Sequence, residues 1–510
     1  MEIKVEKYND IWLDNGLATF YEILKACEED VLDVIDLNTN QLSYRFEDVN
    51  TFIEELADVI KNKLNGMVVH VEDKKTGERK EVKKDHILIQ EGKKIGGKVA
   101  FKERIFDKKS TEDVLEEVYQ NLDGTKQTCF FCNRQFKKNV KKLQQASYPF
   151  VTKIASLSGI RSGESIKLTE YISEYCPQCY LNGILVWLDE SMVYRTIPTK
   201  KSIIILPNMD NLSNLIELKN SYKGILNNEE RWCNIKIDID KPDVDKSPSG
   251  KYSTFMSFYE NFIRVISRDF ENINWYIIEI PQSGSVKNPK YFDITLDKAI
   301  SQMIKKLTRQ ESAYFYRVFV KQFYTFYIDP KKGIRDFDRE KVLHEQLCRA
   351  LIENDFELFA KTFVPRKGIR VGISKESYEI LNKLIKQWRI EPMQIDNKEE
   401  YLKTLGMAGA TLANLIGIRL GLFFKLEKAN TPNKFFEALQ EITRRIKIDD
   451  ISKIGKIYPH SLEKVSQMII TKLNDEDGKE FFNTTKNILL IYTSLRSPKK
   501  DTTKKENNNE

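Results

Sequence analysis

Two short stretches, Cys129-Phe130-Phe131-Cys132 and Cys176-Pro177-Gln178-Cys179, decide how the rest of the chain is read. A CxxC turn presents two thiols on one side of a tight knuckle, and two knuckles supply the four thiolates of a tetrahedral zinc site. Four of the seven cysteines fall in these pairs, a clustering that scattered core cysteines do not produce. A thioredoxin-type redox site needs one CxxC opening a helix after a strand, not two pairs. Four sulfur ligands leave no open coordination position and no histidine lies near them, so the expected metal is structural Zn2+ held by Cys129, Cys132, Cys176 and Cys179. Cys27, Cys233 and Cys348 stand alone and are expected in the core. The pairs are separated by 43 residues, 133–175. A zinc ribbon uses roughly 15–20, so an insertion must loop out of the site.

That insertion is basic. From Asn133 to Glu170 it carries Arg134, Lys137, Lys138, Lys141, Lys142, Lys153, Arg161 and Lys167 against Glu164 and Glu170, a net +6 in a chain whose total is +7. A metal-pinned loop holding nearly all the excess charge suits phosphate contact, and Ser156, Ser158, Gly159, Ser162 and Gly163 let backbone amides approach a duplex closely. Arg134, Lys137, Lys138, Lys141, Lys142 and Arg161 are the candidate nucleic-acid contacts. The bland alternative is a solvated helix face over Lys137–Lys142.

Outward from the knuckles the chain reads as α+β: a mixed N-terminal α/β region with an inserted four-cysteine zinc-knuckle module, followed by an all-α C-terminal helical bundle. The expected segments are 1–124, 125–185 for the knuckle module, 186–373 continuing the mixed region, 374–496 for the bundle, and 497–510 as a disordered polar tail. In the first segment an apolar helical run, Leu17–Leu24, follows Asp14-Asn15-Gly16. Strands are predicted at Met67–Val71 and His86–Gln90, and a helix capped by Ser110 carries Val114, Leu115, Val118, Tyr119 and Leu122 on one face. Further strands are predicted at Ile184–Trp187 and Ser202–Leu206. From Ser374 apolar residues recur at helical spacing, punctuated by Pro432, Pro459 and Gly478.

The remaining signals are weaker. With 510 residues, 41% of them hydrophobic and 11% aromatic, the chain has ample core for two or three domains, which excludes a disordered class. Gly92-Lys93-Lys94-Ile95-Gly96-Gly97-Lys98 matches the GxxxxGK spacing, but Val99 stands where a magnesium-binding Ser or Thr belongs, and a basic hairpin turn is the better reading. Asp238, Asp240, Asp243 and Asp245 lack the partners of a two-metal nuclease, and the calcium-loop spacing fails at Pro242. His70, His86, His344 and His460 are far apart, so no acid–base or nucleophilic constellation is visible and no enzyme is expected. Lys305–Tyr324 interleaves bases with aromatics, as single-strand platforms do, but reads better as a buried helix with one wet edge. No secretory signal or membrane span is evident, and a cytoplasmic protein is expected.

The start Asp14-Asn15-Gly16-Leu17, the two widely separated knuckles, the length and the roughly 120-residue helical C-terminal part together resemble the CXXC–CXXC branch of the large subunits of type I CRISPR effector complexes. These complexes, often called Cascade, are RNA-guided antiviral surveillance machines. The resemblance implies a non-catalytic subunit that contacts double-stranded target DNA at its flanking motif, stabilises the displaced single strand and licenses a separate helicase-nuclease. It implies CRISPR RNA and the backbone and 5′-handle-binding subunits as partners. The helical bundle would correspond to the small subunit of related complexes, with Met393 and Met407 as candidate internal start points. The runner-up is a free-standing zinc-ribbon protein that binds nucleic acid.

Overall fold

Ile203, Ile204, Ile205 and Leu206 are all fully buried, and four consecutive buried aliphatics mean a strand covered on both faces. In the computed structural model they lie in the second strand of a four-stranded antiparallel sheet. The structure describes all residues except 67, 73–78, 84–93, 96–97, 100–108, 144–146, 151–171, 198–200, 224–247, 267–272, 282–289, 328–334, 367, 418, 445–456 and 497–510. The predicted strand His86–Gln90, Arg161, Cys233, the Asp238–Asp245 run and the tail therefore lie outside the described residues. The chain forms two compact units, one of Met1–Val244 with Val265–Thr295, the other of Asp245–Arg264 with Leu296–Glu510.

The first unit opens with β1 (Glu2–Glu6), α1 (Ile11–Leu24), β2 (Val34–Leu37) and β3 (Gln41–Arg45). β3 is central, with β1 and β2 antiparallel on its two sides. α2 (Val49–Gly66) packs against α3 (Thr111–Asn121). The Ser110 side chain accepts from Asp113 N in a complete capping box, and Val114, Leu115, Val118 and Tyr119 are buried, as their spacing predicts. Between these helices β4 (Val68–Glu72) pairs with β5 (Arg79–Lys83), and β6 (Lys94–Ile95) with β7 (Lys98–Val99), both antiparallel. The GxxxxGK segment thus contributes strands β6 and β7 to an antiparallel pair. β8 (Gln127–Thr128) and β9 (Gln135–Phe136) form the first knuckle's hairpin, and α4 (Pro177–Leu185) carries the second knuckle. The large sheet runs β10 (Val193–Ile197), β11 (Lys201–Asn208), β12 (Asn274–Pro281), β13 (Lys290–Ile294), with α5 (Leu212–Tyr222) placed between β11 and β12 in sequence.

Two expectations are corrected here. α1 starts at Ile11, not Leu17, because Asp10 accepts hydrogen bonds from Trp12 N and Leu13 N and nucleates the helix one turn and a half earlier. Ile184–Trp187 is not a strand. Cys176 is an N-cap and Pro177 the first helical residue, so the chain leaves the second knuckle as α4, and Val186–Leu188 extend it as a 3-10 turn. Every residue of this run is buried, which erases the periodicity that separates helix from strand.

The second unit contains α6 (Lys251–Val265, all but its last residue), α7 (Lys298–Arg309), β14 (Tyr324–Tyr327), α8 (Phe337–Ile352), α9 (Phe356–Phe363) and β15 (Ile369–Gly372). Then come α10 (Lys375–Ile385), α11 (Lys398–Ile416), α12 (Leu420–Lys428), α13 (Pro432–Arg444), α14 (Pro459–Lys472) and α15 (Gly478–Arg496). The region after Ser374 is helical, and β14 pairs antiparallel with β15 just before it. α15 packs against α9, α11 and α14. A Cβ on Gly409 of α11 would lie 2.6 Å from Tyr492 Cβ, so these two helices approach as closely as a glycine allows. The boundary drawn at residue 373 lies inside this unit, because α9 packs on α15 and β15 on the same helix. In the Lys305–Tyr324 stretch Phe315, Phe319 and Phe323 are buried and meet Phe359 and Phe363, so these three rings are core, while Tyr314 and Tyr324 are partly exposed.

Candidate functional site

The first knuckle is a hairpin tip. Cys129 N donates to Arg134 O (2.9 Å) and Asn133 N to Cys129 O (3.0 Å). Asn133 closes the turn with φ of 57°, a left-handed conformation that asparagine tolerates. The second knuckle is a helix start: the Cys176 sulfur accepts from Cys179 N at 3.4 Å. Backbone hydrogen bonds thus shape both knuckle turns before any metal is considered.

The knuckles meet. Cys129 Sγ lies 3.7 Å from Cys179 Sγ, and Cys132 Sγ 3.6 Å from Cys176 Sγ. All four sulfurs fall within 4.8 Å of one another, and the cysteines are free of disulfides. Three of the four are buried and Cys132 is partly so. The group can hold a metal ion, with every donor a soft sulfur. Without a cation, four thiols this close cannot all ionise. Hydrogen bonding with the thiols of Cys132, Cys176 and Cys179 pushes the Cys129 pKa far down, while burial and neighbouring thiols push Cys179 up. A divalent cation removes that conflict by stabilising all four thiolates together.

The surroundings reinforce the cluster. Cys176 N donates to Cys129 Sγ at 3.4 Å, linking the knuckles directly. Tyr8 is half-buried, with its hydroxyl beside Cys179 and hydrogen-bonded to its sulfur, while Asn182 Nδ2 donates to the Tyr8 hydroxyl at 2.7 Å. Burial first, then the adjacent sulfurs, raise the Tyr8 phenol well above its ordinary range, which keeps it a hydrogen-bond donor. Tyr175 donates its hydroxyl to Cys179 O at 2.9 Å. Such outer partners orient ligands and hold a metal site's geometry.

The Asp14-Asn15-Gly16 segment sits on this centre's support. Asp14 is buried, accepts from Tyr8 N (2.7 Å) and pairs with Lys7 Nζ (3.2 Å); burial pushes its pKa up to about 6, with Lys7 opposing. Asn15 Nδ2 donates to Pro207 O at 2.9 Å and ties α1 to β11. A Cβ on Gly16 would lie 2.0 Å from Asn182 O, so α1 and α4 touch backbone to backbone there. Trp12 Nε1 donates to both Ser147 O (3.0 Å) and Gly183 O (2.9 Å). One helix thus grips Lys7 and Tyr8 after β1, the strand β11, α4 and the inter-knuckle segment.

Of the basic candidates, Lys137, Lys138 and Lys142 are exposed and Arg134 and Lys141 partly buried. The Arg134 guanidinium donates to Lys4 O and fastens the knuckle to β1, a structural duty its sequence context did not signal. Asn139 holds the lysine strip against the approach to the second knuckle: its Nδ2 donates to Ser173 O (2.7 Å) and its Oδ1 accepts from Tyr175 N (3.3 Å). Tyr8 was missed in the sequence because its contact is 171 positions away in the chain. No protein-family model matches the chain, and no curated protein matches it. Among the described residues no helix is long and apolar enough to cross a membrane.

Proposed function

We propose that this chain is the non-catalytic large subunit of a type I CRISPR RNA-guided complex, built around a structural zinc ion, with the inter-knuckle loop facing target DNA near its flanking motif. The observation that carries the proposal is the direct seating of the Asp14-Asn15-Gly16 helix on the second knuckle, through Gly16 against Asn182 and Trp12 against Gly183. Two of the four features on which the family resemblance rests are therefore parts of one structural assembly.

Zinc is favoured over other metals by the donor set and the spacing. A ZnS4 tetrahedron with bonds of about 2.3 Å has edges of about 3.8 Å, close to the 3.6 and 3.7 Å separations here. Four thiolates close the coordination sphere, so the ion's part is to fold the module, and catalysis is left to a separate helicase-nuclease. The exposed Lys137, Lys138 and Lys142 supply phosphate contacts that position without reading bases. Sequence reading falls to the guide RNA by base pairing, the division of labour known from other RNA-guided effectors. CRISPR RNA, backbone and 5′-handle-binding subunits are the partners this reading requires, in the cytoplasm.

The deciding experiment is the RNA and protein content of the tagged chain purified gently from its own cells. A uniform short RNA with constant flanking repeats and several stoichiometric proteins is the expected result. A zinc-bound protein free of RNA and partners, even when neighbouring genes are co-expressed, overturns it in favour of a free-standing zinc-ribbon binder. For the metal, Cys176→Ser is expected to lower zinc from about one equivalent and to lower the melting temperature, because metal binding to such a site is folding free energy. Unchanged zinc by mass spectrometry and an unchanged melt would refute the structural-zinc assignment.

A further inference from the structure

From Thr484 to Ser494 every residue of α15 is buried. A buried polar side chain normally finds a partner. Thr485, Thr493 and Ser494 do so by donating to carbonyls four residues earlier, each at 2.7 Å. Thr484 and Asn487 do not. They are 4% and 5% exposed, and among the described residues neither side chain makes a hydrogen bond. Their polar atoms are not sealed in either, unlike Glu260 Oε1 and Arg370 Nε. Both residues line a cleft of about 540 Å³, and the little surface left to them opens there.

The cleft is built from two sides. Glu480, Asn483, Thr484 and Asn487 recur at helical spacing and make one polar stripe of α15. The start of α9 and Arg389, from the turn Lys386–Ile390 after α10, make a second wall. That wall is already set. Arg389 Nη2 donates to Asn354 O at 3.2 Å, and its guanidinium lies over the rings of Phe356 and Trp388 at 5.2 and 5.3 Å. Trp388 Nε1 donates to Asn354 Oδ1 at 2.8 Å.

The charge around the cleft is negative. Glu357 is answered by Lys361 at 2.7 Å and by the Lys486 charge, and Glu480 by Arg389 at 3.7 Å. The carboxylates of Asp355, Glu476 and Asp477 then stand against the single ammonium of Lys479. Glu476 and Asp477 are exposed at the rim and form no ion pair among the described residues. These carboxylates do not converge on a metal, since the four cysteines are the one group among the described residues able to hold an ion. An organic cation with several N–H donors meets both the rim charge and the unpaired acceptors of Thr484 and Asn487. The flat, forked guanidinium suits acceptors spread along a stripe better than the point charge of an ammonium does.

We propose that this cleft binds a guanidinium group on an aliphatic chain, either an arginine side chain of a partner protein or a free guanidine of similar reach. Asn487 Oδ1 and Thr484 Oγ1 accept from its N–H groups, and Glu476 and Asp477 supply the opposing charge. The site is independent of the nucleic-acid reading of the first unit, because an acidic rim turns phosphates away.

The test uses the full chain and three probes followed by ligand-observed NMR. They are a blocked tripeptide with arginine between glycines, the same tripeptide with uncharged citrulline, and agmatine as a free guanidine. The arginine tripeptide is expected to bind with a Kd of about 1 mM or below, and the citrulline tripeptide about tenfold more weakly. Binding of the tripeptide marks protein arginine as the source, and binding of agmatine alone marks a free guanidine. Asn487→Ala is expected to weaken binding by about tenfold, because an acceptor for a charged donor is lost. Glu476→Gln combined with Asp477→Asn is expected to weaken it by about threefold and to flatten its salt dependence. Melting temperature reports whether Asn487→Ala folds; if it does not, the variant of the two exposed rim residues decides. Equal binding of the arginine and citrulline tripeptides, or binding indifferent to these variants, overturns the site. So does the absence of binding by any probe at about 10 mM, which would leave a cleft that holds water only.

Discussion

Glu260 of α6 is a buried carboxyl that forms no ion pair among the described residues, although the Arg317 charge acts on it. Oε2 accepts from Arg317 N at 3.0 Å, within a set of backbone donors at Phe315, Tyr316 and Arg317, while complete burial pushes its pKa up to about 7. The folded value lies above the unfolded one near 4.5, so folding favours the neutral acid. The stability it contributes is full below pH 4.5 and declines as pH rises towards 7, where the buried group ionises in the folded state. Glu260→Gln keeps an oxygen acceptor for the amides and removes the titration. Calorimetric melts between pH 5 and 7.5 are expected to fall less with rising pH in this variant than in the wild type. Parallel profiles would place the group's ionisation elsewhere.

At the scale of elements, the contact between α1 and α4 is the joint of the metal module. Nothing in the local propensity of Ile11–Leu24 asks for a glycine, and a mid-helix glycine costs about 1 kcal/mol relative to alanine. Alanine at 16 would nonetheless put its Cβ 2.0 Å from Asn182 O, a backbone atom that cannot turn aside. Gly16→Ala is therefore expected to destabilise the first unit, by about 1–3 kcal/mol as overpacked sites do, and to speed metal loss to a chelator as α4 is pushed off. A stabilised protein, as helix propensity alone predicts, would show that the two helices part easily. The same joint marks what could be read in advance. The knuckles were legible because their chemistry is written in local spacing. The capping box at Ser110 and the Pro432 and Pro459 helix starts were legible for the same reason. Gly16 and Tyr8 act only across the fold, and Ile184–Trp187 lost its periodic signature by being buried on every side. Arg134 looked like one more surface cation until its bond to Lys4 O placed it in the support of the knuckle.

At the scale of the molecule, the C-terminal helices do not form a self-sufficient body. α9, which precedes residue 374, packs along α15, and Phe356 and Phe359 contact Trp388 at 5.1 and 5.4 Å. A product begun at Met393 would lack α9, α10 and Trp388; one begun at Met407 would also start inside α11. Each strips an apolar face from α15. A fragment begun at Met393 is expected to show the marks of loosened packing, with dye binding to exposed apolar surface and a broad melt, against a sharp transition for the whole chain. A cooperative, dye-free fragment would restore the separate small-subunit product as a workable idea.

The chain enters the second unit twice. After β11 it runs out into α6, returns to lay down β12 and β13, and then leaves again. During synthesis, β11 therefore stays without its β12 neighbour while residues 209–273 are made, a wait of about 3–13 s at about 5–20 residues per second. For that interval a strand with four buried aliphatics in a row, Ile203–Leu206, has a raw edge on the ribosome, although both cysteine pairs have already been made. Metal capture by the four cysteines can then clamp α1 and α4 beside β11 first, so that metal supply would govern not only the finished fold but how many nascent chains escape aggregation.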